Sequence, residues 1–499
     1  MDLKKAVREG NLEEIRSLFD AGADIRYVRP RGYTVMTDVM FRCSIAEDSQ
    51  LIPIVRFLIE QGADLNASSD YGESGLSVSS GAGRLDVVRV LLEAGADPAP
   101  LEWTLLHLVV AFGSLERIRL QIQAGDDLNA RDRWGRTAWL MSVLTGDIEK
   151  AELLLTAGAN IEDRGRDGKT PLMCAAKRAD VAMTRWLLER GADPNSANEH
   201  GYTVLHMAAG AGSQECVRLL LNAGADVHRR SGSCSMIGSV IGSARDLETM
   251  RLLVAAGADI NDIYGSLRAK LTRLPHDGSI VCTPDEYQAA KHRIFGRSNP
   301  ERMNFPFWKA MVSGGGCAYR ARAQFDEGRI DGEAVWCFDR FGTSLTELPD
   351  GRIIEIAGEY EDFYDPDFCI YNDVFVHYGD GAFDIYGYPK DIFPPTDFHT
   401  ATLVDEAIYI VGNLGYPELR RYGTTQVCRF DIGTLAIEPV ETTGDGPGWI
   451  SSHKAKLVDN RIELTGGKVC RLEDGEENYR DNSDTFALDI PTMTWSRRT

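Results

Sequence analysis

Apolar positions in the first half of the chain recur at i, i+3, i+4 and i+7 in short runs, the spacing of one buried helical face. Glu215-Cys216-Val217-Arg218-Leu219-Leu220-Leu221 is one such run. Others open on a hydroxyl residue, as in Thr170-Pro171-Leu172-Met173-Cys174-Ala175-Ala176 and Thr203-Val204-Leu205-His206-Met207-Ala208-Ala209. Thr caps a helix N-terminus, and Pro171 stands where its missing N–H costs nothing. These segments therefore predict paired helices, with small alanines letting neighbours approach closely. From about residue 333 the texture changes to short apolar strands between turns, for example Ala407-Ile408-Tyr409-Ile410-Val411-Gly412.

The helical half is repetitive. A tetrapeptide close to Ala-Gly-Ala-Asp recurs with its glycine at 22, 62, 95, 125, 158, 191, 224 and 257. The last five are 33 residues apart; a step of 40 precedes Gly62 and a step of 30 precedes Gly125. Thr34, Ser74, Thr104, Thr137, Thr170 and Thr203 run in phase as helix starts. Each tetrapeptide glycine is expected to end the second helix of its pair in the left-handed conformation. The seven extra residues near 41–51 read as an insertion between the helices of the second repeat. The glycine-rich stretch Cys234–Gly242 reads as a degenerate terminal repeat.

Two helices and a turn every 33 residues, opening on T-P-L-H-x-A-like segments, resemble the ankyrin repeat over residues 1–265. The resemblance implies an α-solenoid of about eight repeats, with turns projecting from one edge. It also implies that His107 and His206 are structural, bonding within the array. One repeat cannot bury its own core, so its neighbours supply it.

Residues 266–332 show no period and are expected to be a connector with short helices. One opens on the capping box Thr283-Pro284-Asp285-Glu286, and a second covers about 307–313 before three glycines. In residues 333–499 three segments align, ending at Gly358, Gly412 and Gly466, with His399 and His453 at equivalent places. A period near 50 of this kind resembles the kelch repeat of β-propellers. The chain is thus expected to be multidomain α + β, an ankyrin α-solenoid followed by an all-β kelch-like propeller or partial propeller. Only three blades and part of a fourth are visible. Either residues 300–342 supply a diverged blade, with Ala334–Asp339 as an outer strand, or the assembly closes on a partner or a second copy.

Charge separates functions. The net charge is −21, made of −6 over residues 1–270 and −15 over the remainder. Such a chain is a poor general ligand for nucleic acid or anionic membrane. No secretory leader and no membrane span are expected. Ten cysteines without a C-x-x-C pattern read as reduced, cytoplasmic thiols. Residues 353–389 hold no Lys or Arg and many carboxylates, read as an acidic loop for docking or for calcium, or merely solvated. The repeat turns lean the other way. Arg131, Arg133 and Trp134, then Arg164 and Arg166, then His200, then Arg229 and Arg230 occupy successive turns and are expected to line up as a basic, partly aromatic binding ridge. Trp139 is expected in the core. The histidine pair with Asp397 could in principle hold a metal, but no full ligand set, catalytic residue or cofactor motif is recognised.

The expected function is a non-enzymatic adaptor or scaffold, binding protein partners through the turns and the propeller. The alternative is an enzyme with a site in the propeller channel and the solenoid selecting substrate.

Overall fold

The computed structural model describes residues 3–44, 49–232, 238–263, 265–326, 333–362 and 365–498. The chain divides into two compact units, Met1–Ala258 and Asp259–Thr499.

The first unit is a series of helix pairs. The inner helices include Gly75–Gly81, Leu105–Phe112, Ala138–Thr145, Pro171–Lys177 and Val204–Ala211, each followed by an outer helix such as Gln214–Asn222. Local chemistry sets their starts. The side-chain oxygens of Thr34, Ser74, Thr104, Thr137, Thr170 and Thr203 each accept the backbone N–H three residues on. All eight tetrapeptide glycines have φ between 80° and 105°. A Cβ on Gly158 would meet nothing within 4 Å, so conformation, not space, selects glycine there. Gly158→Ala is accordingly expected to cost about 1 kcal/mol of first-unit stability, read as a shift of the urea midpoint; an unchanged midpoint would contradict this account. Trp139 lies in the core, as expected. Of the insertion near 41–51, residues 45–48 lie outside the described part, as do 233–237 of the glycine-rich repeat.

The second unit carries four sheets in a propeller-like arrangement. The first has strand order Glu301–Arg302, Phe383–Gly387, Asp365–His377, Ile353–Asp362, Ser344–Glu347. The second runs in sequence through Thr400–Val404, Ala407–Val411, Val427–Asp431 and Ile437–Pro439. The third is built on Lys454–Val458, Arg461–Thr465, Thr485–Asp489 and Thr494–Arg498, with Thr443–Gly444 added in parallel at its edge. The fourth, three-stranded sheet joins Trp449–Ser451 to the hairpin of Lys468–Glu473 and Glu476–Asp481. That hairpin is inserted between two strands of the third sheet, so the fourth sheet does not come from residues 300–342. Ala334–Asp339 forms no strand either.

Side chains alternate across each sheet, and that period packs the sheets face to face. Ile354, Ile356, Val374 and Val376 of the first sheet meet Ile408, Ile410, Cys428 and Phe430 of the second. The second sheet's other face, with Tyr409 and Val411, meets Ile462, Leu464, Phe486 and Leu488 of the third. Tyr371, Phe375 and Ile385 point the opposite way, against Tyr287, Phe307, Trp308 and Trp336. Residues 266–332, expected as a connector, thus supply helices Pro284–Ala290 and Pro306–Gly314 that cover the outer face of the first sheet. The Thr283–Glu286 capping box is present.

Candidate functional site

The turns of the first unit are hairpin fingers joined by a backbone ladder. The N–H of Arg166 donates to Trp134 O (3.1 Å), that of Glu199 to Asp167 O (3.1 Å), and that of Gly232 to His200 O (2.9 Å). Each finger is shaped by a short side chain. Asp132 Oδ1 accepts the N–H groups of Trp134 (2.9 Å) and Arg136 (2.8 Å), and Asn198 Oδ1 does the same for His200 and Tyr202. The ladder places equivalent positions of successive repeats side by side.

The eight ridge residues then divide by role. Arg131 Nη1 donates to Gly135 O (2.6 Å) and to Arg164 O (2.7 Å), while Nη2 reaches Asp163 (2.8 Å). Arg164 repeats the pattern one period later, to Gly168 O (2.9 Å) and Ala197 O (2.8 Å). These two arginines staple one finger to the next. Arg133 donates to Gly72 O (3.2 Å), and half-buried Trp134 lies against Gly81, so both turn toward an earlier repeat. Arg166, His200, Arg229 and Arg230 are exposed, with the Arg166 guanidinium stacked over Trp134 at 5.6 Å. Arg31, in the first turn that the sequence reading counted with the basic ridge, stacks at 5.6 Å on Tyr71 of the next finger, and that reading missed Tyr71, which is 57% exposed. An aromatic in a turn otherwise made of Gly, Asp and Ser was the available signal. It also missed exposed Leu105 and Leu108 on the inner helix Leu105–Phe112.

His107 and His206 are ties between repeats. Each ring Nδ1 meets the capping Thr hydroxyl at 2.8 Å, and Nε2 meets Arg136 O (2.9 Å) or Gly238 O (3.1 Å) of the following repeat. Burial holds both pKa values below the usual range.

Residues 106–264 are ankyrin repeats. The family model for Ankyrin repeats (3 copies) matches at residues 106–198, 146–231 and 183–264. No curated protein matches the chain. Among solved structures, the ankyrin repeat domain of human ASB11 is 22% identical, covering 52% of this chain and 98% of its own, with a TM-score of 0.25. The ankyrin repeat domain of Bcl-3, described as a member of the IkappaB protein family, is 25% identical over 51% of this chain and 98% of its own, with a TM-score of 0.24.

Beyond the ankyrin repeats, the propeller-like unit offers a different chemistry. His399 Nε2 meets Ser344 Oγ at 2.7 Å, and His453 Nε2 meets Thr400 Oγ1 at 2.9 Å. Each histidine thus ties its own sheet to the preceding one, at the same point of the repeat. Burial pushes their pKa values down to about 3 and about 4. Gly412 leaves room for this tie, since a Cβ there would fall 2.5 Å from His453 Cε1. Asp397 accepts the Gly415 N–H at 2.7 Å and does not join a metal set with the histidines. Among the described residues no group of three or more His, Cys, Asp or Glu side chains converges.

Residues 353–389 form mostly strands, not a loop, and several of their carboxylates turn inward. Glu355 pairs with Arg268 and accepts from His377 Nε2 at 3.3 Å. Asp373 pairs with Arg340, and Asp384 with Arg302. Glu359 lies beside Asp397; burial first, and the neighbouring Asp397 charge second, raise the Glu359 pKa to about 8. Burial also raises that of Asp397. The side chains of 362–367 lie outside the described part.

Proposed function

We propose that this chain is a non-enzymatic adaptor that holds a protein partner on the tips of its ankyrin fingers and a second on the propeller-like unit. The observation that carries it is the placement of Arg166, His200 and Arg229, exposed on neighbouring rungs of one ladder in a chain of net charge −21. Local cations on an acidic molecule select an acidic segment of a partner and steer it in, while the overall charge repels nucleic acid and anionic lipid. Arg166 stacked on Trp134 is the best anchor, since Arg and Trp dominate binding hot spots when packed together. No helix among the described residues is long and apolar enough to cross a membrane. The eight cysteines whose side chains are described are free, which supports a reducing, cytoplasmic setting.

The test is capture from native lysate at low and high salt, comparing the intact chain with an Arg166→Glu/Arg229→Glu variant. Arg131 and Arg133 are left alone because they bond to neighbouring fingers. Partners held by the intact chain should be lost with the double reversal and at high salt. Capture indifferent to both would remove the fingers from the account.

The competing reading, an enzyme in the propeller, draws on one observation: Glu359 and Asp397 are a buried carboxyl pair, in which burial and the neighbouring charge raise the Glu359 pKa to about 8. Both are buried, with Asp397 fully enclosed, which supports a part in holding the sheets. Replacing Glu359 by Gln should therefore change stability with pH and leave partner capture intact.

A further inference from the structure

The repeat that ends at Gly125 is short, 30 residues after Gly95 instead of 33. Where other repeats carry a finger, this one has a single 3-10 turn, Ala99–Leu101, followed by Glu102 in the left-handed conformation with φ 54°. The apolar cluster that begins at Ala6 ends at Leu101, and the short repeat packs Trp103 and Phe112 against it.

The face that this repeat turns toward the preceding one is otherwise open. Contacts elsewhere in the stack identify that face. Eight residues before a tetrapeptide glycine, Cys216 Sγ lies 3.6 Å from Thr184 Oγ1, one repeat back. Five residues before a glycine, the Trp186 ring lies 6.1 Å from Trp139 and the Phe57 ring 5.6 Å from Phe19, again one repeat back. In the short repeat these two places hold Arg117 and Leu120, both exposed, Leu120 at 52%. Four residues before its glycine stands half-buried Gln121, where other repeats bury a leucine such as Leu91 or Leu154. On the inner helix, the residue after the capping hydroxyl is buried as Val35, Gly75, Ala138, Pro171 and Val204, but Leu105 is 55% exposed. Leu108, three residues on and on the same helix face, is 41% exposed.

A repeat at the end of a solenoid needs a polar outer face. Arg117 and Gln121 follow that rule in the middle of the chain, and the three leucines break it. The result is an apolar strip of Leu105, Leu108 and Leu120 edged by a cation. Arg119 is engaged with Glu116 at 3.7 Å, whereas Arg117 pairs with no carboxylate among the described residues. We propose that this strip docks one amphipathic helix of a protein partner, apolar toward the leucines and acidic on the flank that meets Arg117. Elsewhere in the stack the equivalent surface is covered by the helices of the preceding repeat, so its ridges suit a helix laid across them. Such a helix is anchored by apolar residues at i, i+3 or i+4, and i+7, and the unpaired cation selects the acidic flank. The site is separate from the finger tips and does not depend on their reading.

The experiment selects helical peptides of about 18 residues, randomised on one face and its flanks, on the intact full-length chain, with the Leu108→Glu chain as counter-target. Enriched sequences should carry the apolar spacing above with Asp or Glu beside it. The affinity of the best peptide should fall at least about tenfold in Leu105→Glu and in Leu108→Glu. It should fall about threefold in Arg117→Glu and recover there when the acidic flank of the peptide is changed to lysine. All three positions are exposed, so urea midpoints should match that of the unmodified chain and show that the variants are folded. Binding should be unchanged in Arg166→Glu/Arg229→Glu, which keeps failure of this proposal distinct from failure of the finger reading. No enrichment over the counter-target, or a peptide indifferent to Leu105, Leu108 and Arg117, would overturn the proposal. A dimer in sedimentation that Leu108→Glu converts to monomer would overturn it too, assigning the strip to a second copy of the chain.

Discussion

Replacing Arg340 by alanine is expected to destabilise the second unit by about 3–5 kcal/mol, because it strands a buried carboxylate. Arg340 is fully buried. Its Nε donates to Cys337 O at 2.6 Å, its Nη2 to Asp373 Oδ2 at 3.0 Å, and its Nη1 to Asp373 Oδ1 and to Ala357 O. The guanidinium lies 3.5 Å from the centre of the Tyr371 ring, with Trp336 and Phe375 at 5.1 and 5.2 Å. Trp336 Nε1 donates to the same carboxylate at 2.9 Å. Removing the cation leaves Asp373 without charge compensation in an apolar, aromatic surround, and a desolvated lone charge costs far more than the pair is worth. Asp373→Asn should cost somewhat less, since the amide still accepts from Trp336. Urea unfolding followed by hydrogen exchange within residues 334–377 would read the loss. A change in Arg340→Ala below about 1 kcal/mol would show that water or rearrangement compensates the carboxylate.

The second large expected effect is a stability maximum against pH in the same unit. His399 and His453 are neutral in the fold, with pKa values depressed to about 3 and about 4 against an ordinary 6.5. Their stabilising effect is present above pH 6.5 and is lost as pH falls through 6.5 toward the folded values. Each contributes a loss of up to about 1.4 kcal/mol per pH unit in that window. Glu359 acts on the other side. Its folded pKa of about 8 lies above the ordinary 4.5, so the fold is favoured most below 4.5 and loses stability as pH rises from 4.5 to 8. Glu359→Gln keeps a neutral donor beside Asp397 and should flatten the alkaline side. His453→Gln, retaining a polar group near Thr400, should flatten the acid side at the expense of some stability at neutral pH. Protection factors for the sheet amides across the range would report both. An alkaline side unchanged in Glu359→Gln would place the proton elsewhere.

How much of this was legible beforehand follows from the range of each interaction. The hydroxyl caps, the tetrapeptide glycines at positive φ, the repeat histidines and the alternation of Ala407–Val411 depend on neighbours within a few residues, or on the same place one repeat away. Sequence alone therefore determined a repeat solenoid over the first half and a run of short strands after residue 333. Periodicity also placed Trp139 in the core and put Arg166 and His200 on adjacent fingers.

What the sequence could not decide depends on groups far apart in the chain. Arg131 and Arg164 look like ligand-binding residues in a polar turn, yet each spends its donors on carbonyls of its own and the next finger. The acidic run of 353–389 looks solvated because its cations, Arg268, Arg302 and Arg340, lie outside it. The fourth sheet was sought in residues 300–342, but an insertion within the third sheet supplies it, and insertions leave no periodic trace. The missing three residues before Gly125 were visible in the repeat count. Only the tertiary structure shows which distant groups meet near the short repeat, since a hydrogen bond from Arg178 to Gly83 O joins residues 95 apart and no local preference fixes it.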